Sequence, residues 1–206
     1  MLRRRWVKAI VFLLCLAPAG YLGWLFYRED LTANPLEYIT HFTGRTALII
    51  LFITLCITPI RHLSSWNGII RFRRLIGLFS FFYAVIHLLI YLVFDRGFVF
   101  TELGEDIAKR PYITIGFTTW LMLLTLAVTS PQAIVRRLGG KRWRAVHRLV
   151  YVAPVLGVIH FTWAQKKDIR LPLLYGLVLG VIFAVRIARW AVGRARLGHP
   201  AQKPVN

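Results

Sequence analysis

Apolar residues in this chain gather into long unbroken runs, and polar residues are confined to the connections between them. Six runs stand out, at approximately 7–27, 46–60, 75–94, 112–130, 149–164 and 171–190. None alternates with the period of two that marks a half-buried strand, so the pattern predicts helices. A bilayer core about 30 Å thick takes roughly 20 apolar residues in a helix. Runs 46–60 and 149–164 are shorter, which fits either upright helices or extension into the headgroups by Arg45, Arg61 and Arg148. The first run has a rival reading, because Arg3, Arg4 and Arg5 precede it and Ala17-Pro18-Ala19 resembles a signal cleavage site. Its apolar character continues through Tyr21, Leu22, Trp24, Leu25 and Phe26, so it reads as a retained span. Leu14 before Cys15 argues against a lipoprotein box.

Composition points the same way. Apolar residues make up 57% of the 206 and charged residues 17%, against about 25% charged in soluble domains. A chain of this size could not bury so much apolar surface in one water-soluble core. No 20–50-residue period repeats and no linker composition divides the chain, so residues 1–206 read as one domain. The expected fold class is an all-α integral membrane protein, a bundle of six transmembrane helices.

The net charge of +19 would suggest nucleic acid if the basic residues shared a folded face, but they cluster between the apolar runs. With six spans, nineteen basic residues and no acid fall on one side of the membrane; eight basic residues and all eight acids fall on the other. The positive-inside rule then places both termini in the cytoplasm of a bacterial cell, with the chain in the inner membrane. The acidic residues Glu102, Glu105 and Asp106, in the longest outer connection, are expected to offer a dock for a basic periplasmic partner. The arginine-rich inner connections suit anionic lipid headgroups or an anionic flavoprotein.

Chemistry is sparse. Cys15 and Cys56 each lie alone in an apolar run, so neither a zinc cluster, a disulfide framework nor covalent haem attachment can be read. Of six histidines, His41, His62 and His199 fall in connections or the tail and read as solvated side chains. His87 and His160 lie inside spans, where ionisable residues are costly and usually functional. They stand 12 and 11 residues past Leu75 and Leu149, level at about 16–18 Å from the inner end. Two imidazoles at equal depth suit the two axial positions of an iron porphyrin, with Ala84 and Gly157 leaving room for the macrocycle. The alternative is a histidine hydrogen bond between helices. His147, 13 residues before His160 at the inner mouth of the fifth span, has only Arg73 or Arg74 at its level on the third span, and neither can ligate iron; a second bis-histidine haem is not supported, and the plain reading is an interfacial histidine among Arg144 and Arg148.

The segments Arg74-Leu-Ile-Gly-Leu to Tyr83-Ala-Val-Ile-His87, and Arg137-Leu-Gly-Gly-Lys-Arg-Trp143-Arg-Ala-Val-His147-Arg-Leu-Val-Tyr151 to His160-Phe-Thr-Trp163, resemble the ferric-reductase-like transmembrane superfamily. Thr58-Pro-Ile-Arg61 and Ile113-Thr-Ile-Gly116 add to the likeness. Within the superfamily the chain is most similar to the haem-binding membrane subunits of bacterial methionine sulfoxide reductase systems, the MsrQ (formerly YedZ) family. The resemblance implies a b-type cytochrome fed from the quinone pool or a cytosolic flavin reductase, passing electrons outward to a periplasmic molybdopterin enzyme, MsrP. It implies His87 and His160 as haem ligands, with His147 a third candidate, and FMN as a further cofactor. No phosphate-cradling glycine loop is evident, so no flavin contact is assigned. The superfamily often carries two histidines on the third span; here Arg73 and Arg74 stand where the inner one would fall. The chain also carries no appended flavin and nicotinamide domain after its sixth span, so electrons are expected from another protein or from quinol. As an electron-transfer subunit it would leave substrate reduction to the partner. The competing readings are a stand-alone quinol-oxidising cytochrome or ferric reductase, and a non-haem scaffold or transporter. Transport is disfavoured by the absence of intramembrane carboxylates and of paired broken helices.

Overall fold

A computed structural model describes residues 2–95, 97, 99–165 and 168–197. Arg96, Lys166, Lys167, His199 and Lys203 lie outside the described residues, as do the side chains of Arg3, Arg4, Glu102 and Arg196. The described chain is helical: α1 (Leu2–Tyr27), α2 (Pro35–Ser64), α3 (Arg73–Ile90), α4 (Phe100–Lys109), α5 (Pro111–Val128), α6 (Gln132–Val146), α7 (Leu149–Ala164) and α8 (Arg170–Leu197). A 3-10 turn, Asn67–Phe72, leads into α3, and a π turn, Tyr91–Asp95, continues it.

Five of these helices are long and apolar enough to cross a membrane. Helix α7 qualifies only together with α6, from which it bends by 45°. The all-α membrane bundle expected from the apolar runs is therefore present, with five or six spans. The second span is longer than its apolar run suggested. Asn34 caps it, accepting a hydrogen bond from the Glu37 amide at 3.3 Å while its own amide group donates to the Glu37 carboxylate at 2.9 Å. Pro35 occupies the first turn, where its missing N–H costs nothing, and helix thus begins well before the apolar stretch. Helices α4 and α6 were read as connections because their charged residues hide any apolar run.

The bundle core lies where α2 meets α3 and α5 meets α7, and packing of α3 against α5 joins the His87 pair to the His160 pair. Prolines inside spans leave backbone groups that water cannot satisfy, and side chains of neighbouring helices supply the partners. Beside Pro18 of α1, the hydroxyl of buried Tyr83 donates to the Cys15 carbonyl at 2.8 Å and accepts from the Ala19 amide at 3.0 Å, standing within an opened helical rung. Pro59 of α2 removes the donor that Leu55 would have used, and Arg186 of α8 donates to that carbonyl at 2.7 Å. The same guanidinium donates to the Tyr151 hydroxyl at 2.7 Å.

Replacing Tyr83 with Phe strands both α1 groups at a cost of about 1–3 kcal/mol. The melting midpoint in detergent is expected to fall by about 2–4 °C per kcal/mol. An unchanged midpoint would show that the rung closes without the hydroxyl.

Candidate functional site

His87 projects from α3 and His160 from α7, and their ring centres stand 6.1 Å apart with planes at 79°. The two are held alike. His87 Nδ1 lies 3.0 Å from the Thr40 carbonyl of α2, and His160 Nδ1 lies 2.7 Å from the Tyr112 carbonyl of α5. A carbonyl can only accept, so Nδ1 of each ring carries the proton and Nε2 keeps its lone pair. Four residues beyond each carbonyl, one helical turn on, stands a glycine. A Cβ at Gly44 would lie 3.0 Å from the His87 ring, and one at Gly116 would lie 2.7 Å from the His160 ring. Each imidazole therefore rests across a bare stretch of helix with its Nδ1–H bonded one turn back.

Both histidines line a cavity of about 470 Å³, a size usual for small-molecule and cofactor sites. Its walls are mainly apolar, with Leu48, Leu51, Ala84, Ile113, Leu123 and Ala153 among them. Arg45 and Arg110 also line it. Each is anchored through Nε, Arg45 at 3.2 Å from the His41 carbonyl and Arg110 at 3.1 Å from Asp106.

This geometry suits an iron porphyrin. Two in-line metal–imidazole bonds of about 2.0–2.1 Å, plus roughly 1.1 Å from nitrogen to ring centre at each end, span about 6.3 Å, close to the observed separation. Donation of the other ring nitrogen to a carbonyl is the usual support of a metal-bound histidine, fixing tautomer and orientation. Among the described residues no set of three or more His, Cys, Asp or Glu could hold a metal ion. Two imidazoles suffice for an ion that brings its other ligands with it, as porphyrin iron does. The Arg45 guanidinium would suit a carboxylate of such a macrocycle, whereas Arg110 is paired with Asp106.

The structure brings His87 and His160 together, and His147 is not among the residues lining their cavity. His147 sits at the break between α6 and α7, with Nε2 3.1 Å from the Thr129 hydroxyl and its ring 4.1 Å from that of Trp143. Ala84 and Gly157 line the cavity as expected, but the first atom a Cβ at Gly157 would meet is Leu48 Cδ1, at 3.2 Å. Its small size thus serves packing between α7 and α2.

Sequence reasoning missed the supports of the histidines. Gly44 and Gly116 were available as lone glycines near the two spans' outer ends, yet nothing local ties either to a histidine more than 40 residues away. Asp106 was misjudged as a docking charge. It is 7% exposed, accepts a hydrogen bond from the Tyr91 hydroxyl and pairs with Arg110. Its neighbour Glu105 does face outward, 2.7 Å from Lys109.

Known proteins resemble this chain over most of its length. The family described as ferric reductase like transmembrane component matches residues 43–158, from just before Gly44 almost to His160. The protein-methionine-sulfoxide reductase heme-binding subunit MsrQ of Herminiimonas arsenicoxydans is 46% identical over 187 residues, covering 90% of this chain and 85% of that one. The chain belongs to the MsrQ family. The MsrQ of Rhodospirillum rubrum is also 46% identical, over 95% of this chain and 94% of its own length, and that of Ralstonia nicotianae is 45% identical over 94% and 90%. Each of these relatives is described as the haem-binding subunit of a protein-methionine-sulfoxide reductase.

Proposed function

We propose that the chain is a b-type cytochrome that holds one haem between His87 and His160 and carries electrons outward to a periplasmic molybdopterin reductase, MsrP. The observation that carries this reading is the pair of imidazoles 6.1 Å apart in one cavity, each with Nδ1 committed to a carbonyl, which leaves Nε2 available to iron. When bound, the haem supplies a one-electron carrier. The chain's own residues do the rest. The Thr40 and Tyr112 carbonyls hold the imidazole tautomers, Gly44 and Gly116 let the rings lie close to α2 and α5, and the apolar walls would keep water from the two Nε2 atoms.

The donor in this proposal is the quinone pool or a cytosolic flavin reductase, reached at the arginine-rich inner face. Both termini lie in the cytoplasm of a bacterial inner-membrane protein, a placement that rests on the charge asymmetry between the connections. His147, beside Arg73 at the inner end, is kept as a third and weaker ligand candidate, because its Nε2 is already engaged by Thr129. FMN, which the resemblance implies, is assigned no residue.

The test is electron delivery. Membranes containing the chain are reduced with a quinol and mixed with purified MsrP and a methionine sulfoxide substrate. Haem reoxidation should follow addition of MsrP and substrate together. Haem that stays reduced under those conditions would overturn the partner assignment.

A further inference from the structure

Helix α4 carries a carboxylate that surface chemistry does not explain. Asp106 is 7% exposed, whereas Glu105 beside it is exposed and paired with Lys109. Burying a carboxylate is costly unless it is both charge-paired and hydrogen-bonded, and Asp106 is both. The Tyr91 hydroxyl donates to its Oδ2, and Arg110 Nε stands 3.1 Å from its Oδ1. Those partners belong to the two segments that hold the histidines. Tyr91 lies one turn beyond His87, at the start of the π turn that continues α3. Arg110 caps α5, two residues before the Tyr112 carbonyl that receives His160 Nδ1–H. Tyr91 and Arg110 both line the cavity.

We infer that Asp106 is a positioning residue that ties the His87 helix to the support of His160 and, through its charge opposite Arg110, sets the electrostatic environment of the cofactor between them. This rests on the haem reading above. The geometric part follows from the two bonds, which span the gap across which the imidazoles must keep their separation. The electrostatic part follows from charge balance. The Asp106 carboxylate stands against the Arg110 guanidinium at the cavity wall. Neutralising Asp106 exposes that positive charge and favours the reduced cofactor, which carries one more electron. Removing Arg110 instead takes a positive charge from the cavity wall and favours the oxidised form.

The test is a redox titration of the purified full-length protein, with haem content measured separately. Asp106→Asn, nearly isosteric, should retain haem and raise the midpoint potential by about a tenfold change in the reduction equilibrium, which is 59 mV for one electron. Arg110→Gln should lower it. Tyr91→Phe keeps the charge pair, so it should shift the potential less while raising the high-spin fraction as the helix tie loosens. Opposite shifts for Asp106→Asn and Arg110→Gln support the inference; shifts of the same sign, or none, overturn it. If Asp106→Asn cannot be purified, the sign of the Arg110→Gln shift decides. Failure of the haem reading looks different: the wild type would lack haem, or would keep it unchanged in His87→Ala.

Discussion

His87→Ala and His160→Ala each remove the low-spin haem spectrum of the purified protein, and most of the bound haem with it. The two rings stand 6.1 Å apart in one cavity, so neither can substitute for the other. Loss of either axial imidazole leaves five-coordinate iron in a pocket whose opposite wall no longer holds it. His147→Ala is the internal comparison. With its ring against Trp143 and its Nε2 against Thr129, its loss should leave the main spectrum largely intact. Reduced-minus-oxidised spectra of the three variants, normalised to protein, check this. A full spectrum in His87→Ala or His160→Ala would remove that residue from the ligand set. Equal loss at all three positions would indicate two coupled haems.

Much of this site was legible before any coordinates. Helical rise alone placed His87 and His160 at one depth, because a span is a ruler of 1.5 Å per residue. What the ruler does not give is azimuth, or which neighbour a ring leans on. The supports of His87 lie 43 and 47 residues before it, at Gly44 and Thr40, and those of His160 at Gly116 and Tyr112. Such pairings arise from how helices pack, which apolar periodicity does not encode. Asp106 was misread for a related reason. On a short helix rich in charge, one acid turned inward is indistinguishable in sequence from those turned outward. The extra length of α2 was, by contrast, available in the sequence, since Asn34, Pro35 and Glu37 form a helix-start signal before the apolar run.

Gly116→Ala lowers haem affinity by about 10–100-fold, the range for loss of a support behind a metal-bound histidine. The added methyl would sit 2.7 Å from two atoms of the His160 ring, closer than real Cβ atoms approach anything. The imidazole is wedged between that methyl and its 2.7 Å bond to the Tyr112 carbonyl, so relief requires the ring to leave its position. Gly44→Ala should cost less, because the corresponding approach to His87 is 3.0 Å and a few tenths of an ångström suffice. Gly180→Ala, with nothing within 4 Å of its new methyl, serves as the control and should bind haem normally. Haem titration of the three apoproteins reads the order directly. Equal affinities for Gly116→Ala and Gly180→Ala would mean that His160 does not work from the position described.

In the proposed arrangement one cofactor iron would be held by both of these imidazoles. The most direct measurement is low-temperature electron paramagnetic resonance of the oxidised wild-type protein beside His160→Ala. The expected wild-type signal is that of low-spin ferric haem with two nitrogen ligands from steeply inclined imidazole planes, in keeping with the 79° between the rings, and it is replaced by a high-spin signal in the variant. A wild-type protein that binds haem yet shows only high-spin iron, or a low-spin signal unchanged in His160→Ala, would contradict the account.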